Sequence, residues 1–316
     1  MFSLVAKRLV QLLPTLLGVL VLTFVVMRLV PGDPTTMMGD RMSEEVRERL
    51  RAEWHLDEPG WVQFGYFVKG VATGDLGMSW RFQTTPVREL VGTAFLHSMA
   101  LAMVSLAFAV VAGIGLGVGA ALRRGSWVDR AITTVALLGI STPVFVVGVL
   151  LVIGAVAVGY RHFGGTGFGE GIDFRFLVLP ALALGSRSIA YLARMTRAAV
   201  LEILDADYLR TARAKGVAPW RIAGWHMLRN ALIPIVTVVG LNFADFLTGA
   251  ILIESVFQWP GIGFMLRKAI EFRDMPVIMA GVLLTTLLFV SINFLVDVAY
   301  AWADPRLRTG GGGMDK

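Results

Sequence analysis

The sequence predicts an all-α integral membrane protein with six transmembrane helices. Hydrophobic residues make up 56% of the 316-residue chain and charged residues only 16%, whereas a soluble domain carries about 25% charged residues. The apolar residues are gathered into runs of about 20 or more, the length that an α-helix needs to cross a bilayer. The segments between these runs alternate between rich and poor in lysine and arginine, as expected of a chain that crosses a membrane several times.

Six apolar stretches are assigned as spans. The first follows Lys7 and Arg8 and exceeds the roughly 7–15 apolar residues of a signal peptide, so we interpret it as a retained helix. The fourth is interrupted by Arg187, but without it the two spans that follow would be wrongly oriented. Pro143 and Pro180 lie inside the third and fourth spans, where proline is expected to kink a helix. The stretches are about 9–30, 98–122, 131–159, 176–199, 232–257 and 276–302.

A polar region, residues 31–97, separates the first two spans and is too polar to cross a bilayer. Within it, residues 43–54 carry apolar side chains at helical spacing and are predicted to form a short helix. Pro59 begins a second helical segment. Residues 87–91 are amphipathic and are predicted to lie at the membrane interface.

The distribution of basic residues predicts the orientation of the chain. Fifteen Lys and Arg residues, against six Asp and Glu, lie in 1–8, 123–130, 194–231 and 303–316. Twelve, against fourteen acidic residues, lie on the other side, in the longer total length of 31–97, 160–175 and 258–275. Because basic residues concentrate in cytoplasmic loops, both termini are predicted to be cytoplasmic and 31–97 to be extracytoplasmic. Membrane insertion thereby explains the net charge of +6, and no nucleic-acid partner is expected.

Composition excludes several kinds of chemistry. The chain has no cysteine, which excludes disulfides, thiol catalysis and a zinc–thiolate site. Its four histidines are not at ligand spacing, so no metal site is expected. The sequence contains no Gly-x-x-x-x-Gly-Lys-[Ser/Thr] phosphate loop. Two rival functions are an ion-coupled secondary transporter, which would rely on Asp245, Glu254 and Asp297, and an intramembrane enzyme. The first is disfavoured because no internal repeat is evident, the second because the serines lack a histidine partner.

The loop between the fourth and fifth spans is the most informative cytoplasmic segment. Asp205 or Asp207 can cap a helix start, and Tyr208–Lys215 is then predicted to form a short basic helix. Gly216 is typical of the residue that stops a helix, and Pro219 suits the first turn of the next one. Such a helix could dock in a groove of a partner protein. Composition alone favours the alternative, a solvated basic loop that follows from the concentration of basic residues in cytoplasmic loops.

The residues of this loop resemble a known motif. Tyr208-Leu209-Arg210-Thr211-Ala212-Arg213-Ala214-Lys215-Gly216, followed by His226–Pro234, is similar to the ATPase-coupling motif of ABC importer permeases, and in particular to the first permease of the dipeptide/oligopeptide/nickel family. Further landmarks of that family occur in order, at Pro31–Pro34, Gly74–Ser79, Glu254–Phe257 and Asp304–Arg306. The chain departs from the general Glu-Ala-Ala pattern, because Arg210 stands where that pattern has an acidic residue.

The resemblance implies a type I ABC importer permease fold and one half of a translocation pathway for di- and oligopeptides. It implies a second permease as heterodimer partner, two ATP-binding subunits or one fused ATPase, and an extracytoplasmic solute-binding protein. No cofactor is expected on this chain, since ATP and Mg would be used by the ATPase subunits. The expected location is the plasma (inner) membrane of a prokaryote. The expected divisions are 1–30, 31–97, a permease core at 98–302 that includes the coupling loop 200–231, and a tail at 303–316.

Polar residues inside predicted spans are candidates for the translocation pathway, because ionisable groups are costly there. Arg187 and Asp245 are expected at overlapping depths, where they either pair or line a hydrated path, and Asn242 shares a helix face with Asp245. A purely structural pair is the alternative. Glu254 is expected at the outer interface. Asn293 and Asp297, four residues apart, are expected to bond between helices or to face the pathway.

Overall fold

A computed structural model describes residues 2–29, 44–53, 55–82, 85–160, 172–204, 246 and 250–303 of the chain. These residues are helical apart from turns, loops and one isolated antiparallel bridge between Met78 and Pro86. The chain divides into two compact units. Unit 1 contains residues 99–259 and 291–316, and unit 2 contains residues 2–98 and 260–290.

Ten helices lie within the described residues. They are α1 Phe2–Leu29, α2 Glu44–Glu53, α3 Gly60–Thr73, α4 Val87–Leu122, α5 Trp127–Ser141, α6 Val144–Ala157, α7 Phe174–Leu204, α8 Ile251–Val256, α9 Ile262–Glu271 and α10 Met275–Ala303.

Three of these helices are long and apolar enough to cross a membrane: α4, α7 and the 275–294 part of α10. They contain the predicted second and fourth spans and most of the sixth. The first predicted span is helical within α1, whose segment Pro14–Val26 is a shorter apolar helix. The fifth predicted span lies mostly outside the described residues, and α8 forms part of its end.

The third predicted span, 131–159, is broken in the structure. Helix α5 ends at Ser141 and α6 begins at Val144, with Pro143 as its N-cap residue. The two helices are bent by 111° at this break, because proline lacks the N–H that would continue the hydrogen-bond ladder of α5. The kink predicted at Pro143 is confirmed, whereas the single continuous span is not. Pro180, by contrast, lies inside α7, which continues past it.

Unit 2 joins the polar region to two later helices. The end of α1 packs on α3, where Phe24 meets the ring of Phe64 edge-on at a centroid distance of 5.3 Å and Arg28 donates to Gln63 Oε1 at 2.6 Å. Helix α2 confirms the short helix predicted at 43–54.

The first turns of α4 are also part of unit 2. Val87 and Val91 are buried in a cluster with Ala269 of α9 and with Val277 and Ile278 of α10. These apolar side chains pack inside the protein, and the location of residues 87–91 at the membrane interface stays a prediction.

Unit 1 is built around α7, which packs against α4 and α5 through small residues. A Cβ atom placed on Gly113 or Gly117 of α4 would come within 2.6 Å of α7 atoms, so both glycines allow the close approach. Gly139 of α5 lies against Ala190 in the same way, at 3.2 Å between Cβ positions. Such contacts are typical of membrane helices. Because lipid provides no hydrophobic driving force between helices, they associate through close van der Waals packing, which small residues allow.

Candidate functional site

The predicted coupling residues, Asp207 to Gly216, lie outside the described residues. Helix α7 ends at Leu204, three residues before Asp207. The structure therefore describes the helix that leads into the predicted coupling segment but not the segment itself.

The predicted pathway residues fall into three groups. Arg187 is exposed on α7, and Asn293 is half-buried on α10. Asn242 and Asp245 lie outside the described residues. Asp297 is on α10, within a stretch of which only the backbone is described. The possible pairing of Arg187 with Asp245 stays a prediction.

Glu254 is the predicted pathway residue whose surroundings are best described. It lies on α8 and is fully buried, next to the equally buried Trp259 and Phe257. The backbone N–H of Trp259 donates to the Glu254 carbonyl at 2.8 Å, which folds the chain back at the end of α8. The sequence predicts that this residue lies at the outer interface, and the structure adds that its side chain is buried.

Asp129 and Arg197 form an ion pair in the described part of unit 1. This pair was not predicted from the sequence. Arg197 of α7 donates from Nε to Asp129 Oδ1 at 2.6 Å and from Nη2 to Asp129 Oδ2 at 2.9 Å. Asp129, in the first turn of α5, is only 4% exposed, and the Arg197 side chain is 30% exposed. Two parallel charge-assisted bonds of this kind fix the relative orientation of the two groups as well as their distance.

The turn between α4 and α5 positions Asp129. Gly125 adopts a left-handed conformation with φ 78°, which reverses the chain, and its N–H donates to Asp129 Oδ2 at 3.0 Å. Ser126 is the N-cap of α5 and accepts from the backbone N–H of Asp129. The carboxylate at the helix start is also favoured by the positive end of the helix dipole.

The packing of α7 positions Arg197. Thr196, one residue before Arg197, is fully buried. Its Cβ lies 2.6 Å from the position that a Cβ on Gly117 would take. On the other face, Ala190 meets Gly139 of α5. Helix α7 is thus held by α4 and α5 within two turns of the ion pair.

A local sequence signal for Asp129 was present. Ser126-x-x-Asp129 is close to the Ser-x-x-Glu pattern that marks a helix start. Nothing in the sequence identified its partner, because Arg197 lies 68 residues further along the chain and fits the expected basic bias of cytoplasmic loops equally well.

Unit 2 contains a second buried polar cluster. Asp274 accepts hydrogen bonds from the Ser79 hydroxyl and from the backbone N–H groups of Trp80 and Arg81. Arg81 also lies over the Phe272 ring, 4.2 Å from its centroid. These contacts anchor the loop between α3 and α4 to the chain just before α10. Within the parts of the chain that the structure describes, no three His, Asp or Glu residues are grouped to hold a metal ion.

The sequence is similar to those of known membrane transport components. Residues 113–309 match the family described as binding-protein-dependent transport system inner membrane component. Over 98% of the chain and 99% of the relative, the sequence is 42% identical to the di/tripeptide transport system permease protein DppB of Pseudomonas aeruginosa. With the same coverage it is 40% identical to the glutathione transport system permease protein GsiC of Escherichia coli, and 41% identical to a putative peptide transport system permease protein of Brucella abortus.

Two solved structures share the fold. The MetNI methionine ABC transporter in an inward-facing conformation matches with a TM-score of 0.53 and 21% identity, over 68% of this chain and 96% of that chain. An amino acid ABC transporter matches with a TM-score of 0.50 and 17% identity, over 68% of this chain and 94% of that chain.

Proposed function

The chain belongs to the family of binding-protein-dependent transport system inner membrane components, and from that premise we propose that it forms half of the translocation pathway of an ATP-driven importer of di- and oligopeptides. The single observation that carries the substrate class is the 42% identity, over nearly the whole chain, to a di/tripeptide permease. The glutathione permease among the relatives is consistent with this class, because glutathione is itself a small peptide.

The proposal includes a topology. Six spans place both termini in the cytoplasm and residues 31–97 outside, with a permease core at 98–302 and a cytoplasmic tail at 303–316. The positive-inside distribution of the sequence supports this orientation. The organisms of the relatives support the inner membrane of a bacterium as its location.

The proposal also includes partners. Six spans provide half of a pore, so a second permease subunit completes it. The chain has no phosphate-binding loop, so two ATPase subunits, or one fused ATPase, supply the energy and use the ATP and Mg. A solute-binding protein delivers the peptide on the extracytoplasmic side. This division of labour makes the chain a transport component rather than an enzyme.

Residues 207–216 are proposed as the contact with the ATPase. A short basic helix with alanines at Ala212 and Ala214 allows close approach to a groove, and its arginines favour an acidic rim. Gly216 then forms the elbow through which movement of the ATPase enters the spans. Arg187, Asn242, Asp245, Glu254, Asn293 and Asp297 are proposed to line the path or to hold its walls together.

Reconstitution tests the function. The chain is assembled in liposomes with a second permease, ATPase subunits and a peptide-binding protein, and import of a labelled dipeptide is followed. We expect import only with ATP, and stimulation of ATP hydrolysis by the peptide-loaded binding protein. Omission of the second permease serves as the control. Accumulation of peptide by this chain alone, without nucleotide, would show an ion-coupled transporter instead.

Substitution of Gly216 tests the coupling segment. Gly216→Trp is expected to abolish ATP-driven import while the protein still inserts, because a bulky side chain obstructs the elbow. The matched control is Gly65→Trp on α3, where an added Cβ meets no described atom within 4 Å and import should persist. Normal import by the Gly216 variant would rule out the elbow.

A further inference from the structure

We propose that the Asp129–Arg197 ion pair is the positioning contact through which movement of the coupling segment reaches α4 and α5. The inference rests on the proposed function, since it assigns a role within ATP-driven transport. It names two residues that neither touch substrate nor belong to the coupling segment, and that act by holding one helix against another.

The location of the pair is the first argument. Arg197 lies seven residues before the end of α7 at Leu204, about two helical turns at 3.6 residues per turn. The proposed coupling segment begins three residues later, at Asp207. One of the two chain connections of that segment therefore runs through the last two turns of α7, where the ion pair links α7 to α5.

The rigidity of the pair is the second argument. The guanidinium and carboxylate share two hydrogen bonds of 2.6 and 2.9 Å, and Asp129 is held from its other side by the N–H of Gly125. The two bonds of Arg197 join α7 to the start of α5, and the Gly125 bond ties the start of α5 to the turn after α4. Because burial removes competing water from the carboxylate, the geometry is retained far better than at an exposed pair.

Helix packing beside the pair is the third argument. Gly117 and Thr196 bring α4 and α7 into contact one residue before Arg197, and Gly139 and Ala190 bring α5 and α7 together two turns earlier. Packed helices of this kind slide or tilt as rigid bodies rather than deforming. With the ion pair in place, displacement of the α7 end moves α4 and α5 as well. Without it, the last turns of α7 can bend away from α5.

The chain provides its own matched control at the other end of the same helix. Arg175 donates from Nε to both carboxylate oxygens of Asp173, at 3.2 and 3.1 Å, and from Nη2 to Oδ2 at 2.9 Å. The chemistry is that of the Asp129–Arg197 pair, but the Arg175 side chain is 69% exposed and its partner is two residues away. Breaking this pair removes an arginine–aspartate contact without separating two helices.

The experiment compares Arg197→Gln with Arg175→Gln in the whole reconstituted complex. The readouts are assembly, thermal stability, rate of ATP hydrolysis and moles of ATP used per mole of peptide imported. We expect the ATP-to-peptide ratio of the Arg197 variant to rise about fivefold or more, the low end of a coupling between two sites, while ATP hydrolysis continues. The Arg175 variant is expected to keep the ratio of the unchanged complex.

A charge exchange separates positioning from folding. The complex that carries both Asp129→Arg and Arg197→Asp is expected to assemble. Its ATP-to-peptide ratio is expected to be lower than that of the Arg197→Gln complex. Should Arg197→Gln fail to assemble, Arg197→Lys and Asp129→Asn take its place, because each keeps a single hydrogen bond while losing the two-bond geometry. An ATP-to-peptide ratio equal to that of the unchanged complex, in any assembled variant that lacks the two-bond pair, overturns the inference. Absence of ATP-driven import by the unchanged complex contradicts the proposed function instead.

Discussion

Two buried aspartates in the described part of the chain are held by backbone amides or by an opposite charge. Asp274 accepts from two backbone N–H groups, and Asp129 accepts from one backbone N–H and from Arg197. Leaving such a group without a partner costs about 1–3 kcal/mol. The Thr196 hydroxyl is an exception, because it is buried without a hydrogen-bond partner among the described residues.

Replacement of that hydroxyl is expected to be tolerated. Thr196→Val keeps the shape of the side chain and removes a buried polar atom, so the free energy of unfolding should stay the same or rise by about 1 kcal/mol. The measurement is the melting temperature of the purified chain in detergent. Ser105→Ala serves as a contrast, since its buried hydroxyl donates to the Leu101 carbonyl at 2.7 Å. A clear loss of stability in Thr196→Val would show that this hydroxyl is bonded after all.

At the scale of the elements, α4 carries four alternate glycines that have two different environments. The sequence shows two overlapping Gly-xxx-Gly spacings, at 113/117 and 115/119, and predicts close packing from both. The structure confirms the first pair, which lies against α7. An added side chain on Gly115 or Gly119 meets no described atom within 4 Å.

Alanine substitutions on the two faces should therefore have opposite effects. Gly117→Ala places a Cβ 2.6 Å from the Ala193 carbonyl oxygen and the Thr196 Cβ, and overpacking of this kind costs about 1–3 kcal/mol. Gly115→Ala meets nothing and is expected to gain up to about 1 kcal/mol from helix propensity. Melting temperatures of the two variants test this, and equal shifts in the same direction would contradict the packing described for α4 and α7.

The contact between α5 and α7 can be tested by cross-linking. The Cβ positions of Gly139 and Ala190 are 3.2 Å apart, close to the roughly 3.5–4.5 Å of a disulfide. In this naturally cysteine-free chain, Gly139→Cys with Ala190→Cys is expected to oxidise to a disulfide, seen as a reversible change in gel mobility.

The matched control pairs Ala190→Cys with Gly154→Cys on α6, where an added side chain meets no described atom within 4 Å. That pair should not cross-link within one chain. Equal cross-linking of both pairs would show that the α5–α7 contact is not specific.

At the scale of the whole molecule, the proposed topology predicts which residues face each side of the membrane. A single cysteine at Arg123, in the turn after α4, or at Thr309, in the tail, is expected to react with a membrane-impermeant reagent only from the cytoplasmic side. A single cysteine at Lys69 on α3 is expected to react only from outside. Labelling of intact cells and of inverted vesicles measures this, and reaction of Lys69→Cys from the cytoplasmic side would reverse the topology.

Much of the fold could be predicted because its signals are local. Apolar length located α4, apolar length together with the orientation of the later spans located α7, and Pro143 marked the break between α5 and α6. The amphipathic pattern of residues 87–91 shows that one face is buried but does not show what covers it. In the structure Val87 and Val91 pack against Ala269 and Val277.

The sequence by itself determined that this is a helical membrane protein of the ABC importer permease family, because hydrophobic length, basic asymmetry and the motif near Gly216 are all written in consecutive residues. Only the tertiary structure decided which glycines of α4 form a helix contact, that Glu254 is buried, and that Asp129 pairs with Arg197. The physical reason is that a helix pattern specifies a face, whereas the partner of that face is selected by packing and charge between residues far apart in the chain.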